Sequence, residues 1–164
     1  MRRRGRALSL QFCPAQAWVH GDAPQQGGSY MQTKFILTYV DVTSIVAAAR
    51  AEAQRNDWAV AIAVVDDGGH PLALERLDDC SPISAYIATE KARTSALGRR
   101  ESRRYEDMIN GGRVSFLSAP LQAMLEGGIP IVVDGQVVGA IGVSGVKSEQ
   151  DAQIARAGAD ALGP

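Results

Sequence analysis

The amino-acid sequence predicts a single α/β domain, more narrowly of the α+β class, in which helices pack on a mainly antiparallel sheet. Two pairs of apolar segments are each joined by a tight turn, Asp67-Gly68-Gly69 in the first pair and Asp134-Gly135 in the second. Such pairs are typical of β-hairpins. Segments with apolar residues at helical spacing lie before, between and after the two hairpins. Because hairpins make neighbouring strands antiparallel, we expect the helices to cover the sheet from outside.

The first helix is predicted over residues 39–56. Thr38 and Asp41 have the spacing of a capping box, in which two side chains satisfy free amides at a helix start. The residues that follow are apolar at helical intervals: Val42, Ile45, Val46, Ala49 and Ala53. The continuous apolar run over residues 59–65 then predicts a central strand buried on both faces. Its hairpin partner is predicted over residues 72–77.

The second helix, residues 83–97, follows Ser81-Pro82, a hydroxyl cap and then a proline where no amide bond is lost. One face carries small residues suited to close packing on a sheet: Ala85, Ala88, Ala92 and Ala96. The other side is also largely apolar, with Glu90 among its residues and Tyr86 and Lys91 at its edges: Ile83, Ile87, Thr94 and Leu97. A helix that is apolar on two sides needs two partners. We therefore predict a homo-oligomer in which a neighbouring subunit, or a ligand, covers this second side.

The remaining elements follow from turn and cap signals. A polar helix is predicted over residues 99–110, ending at Gly111-Gly112. The second hairpin pairs residues 129–133 with residues 136–143. Ser148 and Asp151 repeat the capping-box spacing, which predicts a last helix that begins at Ser148 and ends near residue 162.

Composition excludes several classes of partner. The chain has 164 residues with a net charge of -1 and 5% aromatic residues, which favours neither nucleic acid nor an anionic membrane surface as a partner. The two cysteines, Cys13 and Cys80, are interpreted as free thiols in a reducing compartment, so we expect a cytoplasmic protein.

The first thirty residues differ from the rest. An arginine-rich start and Ala15-Gln16-Ala17 leave a secretion signal as the alternative, but the apolar stretch between them is interrupted. We expect residues 1–30 to be a disordered leader, or to precede a natural start at Met31. Residues 31–164 form the predicted domain.

Three stretches resemble the GlcG/HbpS family, which also occurs as the C-terminal domain of PduO-type adenosyltransferases. They are residues 64–79 (VVDDGGHPLALERLDD), residues 87–94 (IATEKART), and the segments GGIPI at 127–131 and GAIGVSG at 139–145. The resemblance implies a sheet of about five antiparallel strands and assembly into dimers or larger rings. It also implies heme as a possible cofactor, held in family members by a histidine near the first helix. Residues 39–56 contain no histidine.

Two groups of residues could carry acid–base chemistry. His70, beside Asp66 at a hairpin tip, could ligate iron or transfer protons near neutral pH, and the alternative is an exposed turn residue. Glu90 and Lys91 lie among apolar residues, where an unpaired charge would be costly. An ion pair, a ligand contact or a catalytic acid or base would each explain them. Arg76 is the candidate partner of Glu90, or a binder of a ligand carboxylate.

We predict one ligand pocket between the turn at residues 66–70, the Glu90-Lys91 face and the Ser144-Gly145 loop. Thr94 is a further ligand contact on the helix, and glycine in the loop allows close backbone approach. The sequence thus predicts an oligomeric protein that binds a small molecule, with heme as the leading ligand through the resemblance. The alternative is a cofactor-free enzyme or accessory protein of organic-acid or aromatic catabolism, using His70, Glu90 and Lys91.

Overall fold

The computed structural model describes residues 33–163, and its elements follow the predicted order. The helices are α1 (Tyr39–Arg55), α2 (Pro82–Gly98), α3 (Arg103–Asn110) and α4 (Ser148–Ala159). The strands are β1 (Ala61–Asp66), β2 (Pro71–Arg76), β3 (Gly128–Val133) and β4 (Gln136–Ser144). Short 3-10 turns occupy Val114–Ser118 and Asp160–Leu162. The predicted leader, with Cys13 and Met31, lies outside the described residues.

The sheet is antiparallel throughout, with strand order β2-β1-β4-β3. The α+β class is confirmed. The expected count of about five strands is wrong for residues 33–163, which hold four. The two hairpins supply these four strands, and the long connection between α2 and β3 forms α3 and a 3-10 turn instead of a further strand.

Helices α1 and α4 cover one face of the sheet. The predicted capping box of α1 is confirmed, because the Thr38 amide donates to the Asp41 carboxylate at 2.8 Å and the Asp41 amide donates to Thr38 Oγ1 at 3.3 Å. The apolar stripe of α1 is buried against the matching face of β1 and β4: Ile45, Ala49, Ile62, Val64, Ile141 and Val143.

Helix α2 covers the opposite face. Its residues Ala88, Ala92 and Ala96 are buried against β1 and β4, as their size predicts. At Gly142 a Cβ atom would overlap the backbone of Ala88, so glycine lets the helix lie directly on β4. Ser81 is the N-cap residue of α2, as predicted, but its hydroxyl makes no capping hydrogen bond. Pro82 does occupy the first turn, as predicted.

The start of α4 also differs from the prediction. Ser148 is the first residue of the helix and Lys147 is its N-cap, so Ser148 and Asp151 do not form a capping box. The Asp151 side chain turns inward instead and is buried.

Candidate functional site

An apolar groove of about 430 Å³ runs between α1 and the edge strand β2. Its walls are mainly aliphatic, with a phenol, a hydroxyl and a charged pair among the lining residues: Tyr39, Val42, Thr43, Val46, Ala47, Arg50, Leu72, Ala73, Leu74 and Glu75. We call it the α1–β2 groove. Since β2 lies at the edge of the sheet, nothing in residues 33–163 covers the outer side of the groove.

Two ion pairs between α1 and β2 or their flanking residues show how the two walls of the α1–β2 groove are oriented relative to each other. Arg50 of α1 donates from Nε and Nη2 to the Glu75 carboxylate of β2, at 2.6 and 2.7 Å. Near the start of both elements, Lys34 donates to the Asp67 carboxylate at 2.8 Å. Helix α1 and strand β2 therefore run in the same direction. Tyr39, at the start of α1, and the turn before β2 lie at the same end of the groove.

The turn at that end holds His70 in a defined pose. The amides of Gly68 and His70 donate to Asp66 Oδ1 at 2.9 and 2.8 Å, and His70 Nδ1 lies 3.1 Å from Asp66 Oδ2. Partial burial of Asp66 acts to raise the pKa of its carboxyl, but the hydrogen bonds from His70 and Gly68 outweigh it and hold the pKa below its usual value. With Nδ1 donating to the carboxylate, Nε2 keeps its lone pair for a ligand or a proton. The imidazole is 80% exposed.

A second cleft, of about 300 Å³, lies on the other side of the sheet between α2 and the 119–122 loop. Two predicted site residues, Glu90 and Thr94, line it together with Arg93 and Leu97. Glu90 accepts a hydrogen bond from Arg93 Nη1 at 3.1 Å, so its partner is neither Lys91 nor Arg76. Thr94 Oγ1 donates to the Gln122 carbonyl and ties the loop to the helix.

Lys91 is buried beside the second cleft instead of facing it. Its Nζ donates to Asp151 Oδ2 at 2.8 Å and to the Val143 carbonyl at 3.0 Å. Burial raises the pKa of the Asp151 carboxyl, and the attraction of Lys91 only partly offsets this. The predicted position of Lys91 at the edge of the ligand-facing side is therefore wrong, because Asp151 and the Val143 carbonyl hold its ammonium group in the interior.

The predicted single cavity does not form. In the register of β1 and β4, Ala61 pairs with Ser144 and Asp66 pairs with Gly139, so the Ser144-Gly145 loop and the His70 turn lie at opposite ends of the sheet. Arg76 pairs with Ala61 and is exposed near the Ser144 end. The His70 turn does adjoin the second cleft, because a Cβ atom at Gly69 would lie 3.5 Å from both Arg93 and Leu97. The prediction of one cavity that also includes the Ser144-Gly145 loop is wrong.

Sequence reasoning missed two parts of these sites. The α1–β2 groove forms because α1 packs over an edge strand, and no short sequence motif predicts that packing. Its one sequence signal is Tyr39, a large side chain on the first turn of an amphipathic helix, outside the buried stripe. Asp151 was assigned to a helix cap, although an aspartate three residues into a helix can equally pair with a distant lysine.

Comparison with known proteins gives one consistent result. A protein-family model described as "Haem degrading protein HbpS-like" matches residues 37–160. The Escherichia coli K12 protein GlcG is 61% identical over 114 residues, which are 70% of this chain and 85% of GlcG. An uncharacterised 15.0 kDa protein of Citrobacter freundii is 30% identical over 76% of this chain and 90% of its own length.

Solved structures give the same fold. A Streptomyces reticuli HbpS variant superposes with a TM-score of 0.74 at 30% identity, covering 84% of this chain and 94% of that one. A PduOC:heme complex superposes with a TM-score of 0.72 at 27% identity, covering 79% of this chain and 96% of the other. Within residues 33–163, no helix is both long and apolar enough for a bilayer crossing.

Proposed function

Because the chain belongs to the HbpS-like family, we propose that it binds heme, or a related tetrapyrrole, in the α1–β2 groove. The observation that carries the proposal is the composition of that groove: mainly aliphatic walls, with the phenol of Tyr39 at one end and the guanidinium of Arg50 towards the other. The PduOC:heme complex, a structural neighbour, adds that this fold accepts heme in at least one protein.

The residues of the groove fit the chemistry of heme. A porphyrin is a planar apolar ring with two carboxylates, so it needs an apolar slot, a cation and an iron ligand. Val42, Val46 and Ala73 supply apolar walls, and Arg50 supplies a cation that is paired with Glu75. Bound heme would supply redox chemistry at its iron.

Two side chains could ligate the iron: Tyr39 in the groove lining and His70 on the turn before β2. Histidine is the common proximal ligand of heme proteins, and tyrosine serves in catalases. His70 has Nδ1 held by Asp66, which fixes the ring tautomer and leaves Nε2 free, as in most metal-ligating histidines. Tyr39 stands on the first turn of α1, with its side chain in the groove lining and largely exposed. Tyr39 is on the first helix, near which the resemblance implies a histidine, and His70 is on the turn before β2.

Titration of the purified protein with hemin tests this proposal. We expect a saturable Soret shift. We also expect the substitution that removes the iron ligand, either Tyr39→Phe or His70→Ala, to weaken hemin affinity about tenfold or more. Tyr86→Phe is the matched control, because Tyr86 is an exposed tyrosine on α2, on the other side of the sheet. The absence of saturable binding to the wild-type protein would overturn the proposal. Persistence of the Soret band under reductant and oxygen would separate binding alone from the heme degradation named in the family description.

A second candidate function rests on the Asp66–His70 pair. An exposed imidazole oriented by a carboxylate is suited to general acid–base catalysis. The alternative is therefore an enzyme or accessory protein of organic-acid or aromatic catabolism, with Glu90 and Arg93 in the second cleft as contacts for a small polar ligand. Turnover of such a substrate without heme, abolished in His70→Ala, would favour this alternative. In both cases we propose a cytoplasmic homo-oligomer.

A further inference from the structure

Arg50 and Glu75 are the charged residues among the described residues that line the α1–β2 groove. Arg50 donates from Nε to Glu75 Oε1 at 2.6 Å and from Nη2 to Oε2 at 2.7 Å, so the carboxylate occupies one edge of the guanidinium. The two side chains are 41% and 30% exposed. Because both are partly buried, salt and water screen their charges less than on an open surface.

The other edge of the Arg50 guanidinium remains available to a ligand. A guanidinium has five N–H donors in one plane, and Glu75 accepts from two of them. Nη1 of Arg50 donates to no side chain or carbonyl within residues 33–163. The edge formed by Nη1 and Nη2 can bind a carboxylate through two parallel hydrogen bonds. Arg50 can therefore bind a ligand carboxylate while it stays paired with Glu75.

Glu75 has two opposite effects on such a ligand. Its hydrogen bonds to Nε and Nη2 hold the guanidinium in the wall of the groove. Its negative charge, however, repels a second carboxylate on the same guanidinium. A glutamine at this position would keep an oxygen that accepts from Arg50 and would lack the charge. The affinity of the groove for carboxylates should therefore be limited by Glu75.

Arg50 is far enough from Tyr39 for the two side chains to contact different parts of one ligand. They are eleven residues apart on α1, which is about 16 Å along the helix axis at a rise of about 1.5 Å per residue. The walls between them are apolar: Val42, Val46 and Ala73. A carboxylate at Arg50 thus leaves the end of the groove at Tyr39 free for the iron.

We propose that Arg50 binds one carboxylate of the ligand and that the charge of Glu75 weakens this contact, so that the groove selects free acids over their esters. The proposal rests on heme binding in the α1–β2 groove, where the carboxylate is a propionate. It assigns to Arg50 the carboxylate contact that the sequence predicts for Arg76. Glu75 pairs with Ile62 on the sheet face under α1, whereas Arg76 pairs with Ala61 on the face under α2.

Titration with hemin and with hemin dimethyl ester tests this proposal. The two ligands share the iron and the ring, so the ratio of their dissociation constants, measured by the Soret shift, isolates the contribution of the carboxylates. We expect the wild type to bind hemin more tightly than the ester. Arg50→Met should weaken hemin binding about tenfold and leave ester binding nearly unchanged. Glu75→Gln should strengthen hemin binding roughly threefold with little effect on the ester.

Two further variants serve as controls for charge. Arg55→Met removes an arginine from the same helix, at its exposed pair with Glu52, and should keep the wild-type ratio. Arg76→Met separates the two candidate arginines, and it too should keep that ratio. Circular dichroism and melting temperature show whether each variant is folded. If Arg50→Met does not fold, Glu75→Gln still tests the proposal, because the ratio of acid to ester affinity does not respond to a purely structural change.

Several results would overturn the proposal and leave heme binding standing. They are equal affinity of the wild type for hemin and its ester, an equal loss for both ligands in Arg50→Met, loss of selectivity in Arg76→Met instead, or weaker hemin binding in Glu75→Gln. In each case the wild type still shows a saturable Soret shift. The absence of that shift with both ligands would overturn the proposed function together with this one.

Discussion

Lys91 Nζ and Asp151 Oδ2 lie 2.8 Å apart in the protein interior, and together they join α2 to the start of α4. The two side chains are 4% and 3% exposed. Lys91 also donates to the Val143 carbonyl, and the Val146 amide donates to Asp151 Oδ1 at 3.2 Å. The pair thus holds together the end of β4, the loop that follows it and both helices. Its geometry indicates a structural role for Lys91, which the sequence placed among the catalytic candidates.

Removal of one member of this pair should be costly. Lys91→Met leaves the Asp151 carboxylate buried without its partner, and we expect the free energy of unfolding to fall by about 3–5 kcal/mol. Urea denaturation measures the change. Lys34→Met breaks an ion pair whose lysine is 55% exposed, and we expect that control to cost less than about 1 kcal/mol. Equal effects of the two substitutions would contradict a stabilising role for the buried pair.

The raised pKa of Asp151 predicts a pH dependence. Between the ordinary value of 3.8 and the higher folded-state pKa, the folded protein binds more protons than the unfolded chain. Stability therefore falls as pH rises through this interval. The variant Asp151→Asn lacks this titration, so wild-type stability relative to the variant should decline with rising pH and then level off. Urea unfolding of both proteins from about pH 3.5 to pH 8 checks the slope. A wild type that gains stability relative to the variant over this range would show that the pKa is lowered instead.

Gly127 is predicted to be intolerant of a side chain. Its φ is +118°, and a Cβ atom there would lie 2.9 Å from both Lys91 Nζ and the Val143 carbonyl oxygen. Gly112 also has a positive φ, +96°, but a Cβ atom there meets nothing within 4 Å. Gly112→Ala should therefore cost about 1–2 kcal/mol from backbone strain alone. Gly127→Ala should cost roughly 1–3 kcal/mol more from overpacking. Thermal unfolding of both variants measures the difference. Similar losses of stability in the two variants would show that the residues around Lys91 can shift to accommodate the added methyl group.

The sequence was most informative where structure depends on neighbouring residues. The Thr38–Asp41 cap and the turns at Gly68-Gly69 and Asp134-Gly135 involve residues within a few positions of one another, and each appears where it was predicted. The alanine face of α2 was predictable too, because burial on one face follows from helical periodicity.

The candidate sites were less predictable because they depend on contacts between distant parts of the chain. Lys91 and Asp151 are 60 positions apart, so no spacing rule joins them. Thr94 is buried by the 119–122 loop, a segment without regular periodicity. The α1–β2 groove exists because β2 is the edge strand, and strand order is a property of the whole sheet. His70 and Asp66 were identified because they are near neighbours in one turn.

The most direct test of heme binding in the α1–β2 groove is hemin titration of two tryptophan variants. Ala47 lines the groove, whereas Ala51, one helical turn further along α1, is also exposed but lies outside the lining. Ala47→Trp should fill the groove and reduce hemin affinity about tenfold or more, roughly 1.4 kcal/mol. Ala51→Trp should bind hemin like the wild type, and both variants should melt within a few degrees of it. Equal hemin affinity in the two variants, at wild-type strength, would contradict the assignment of heme to this groove.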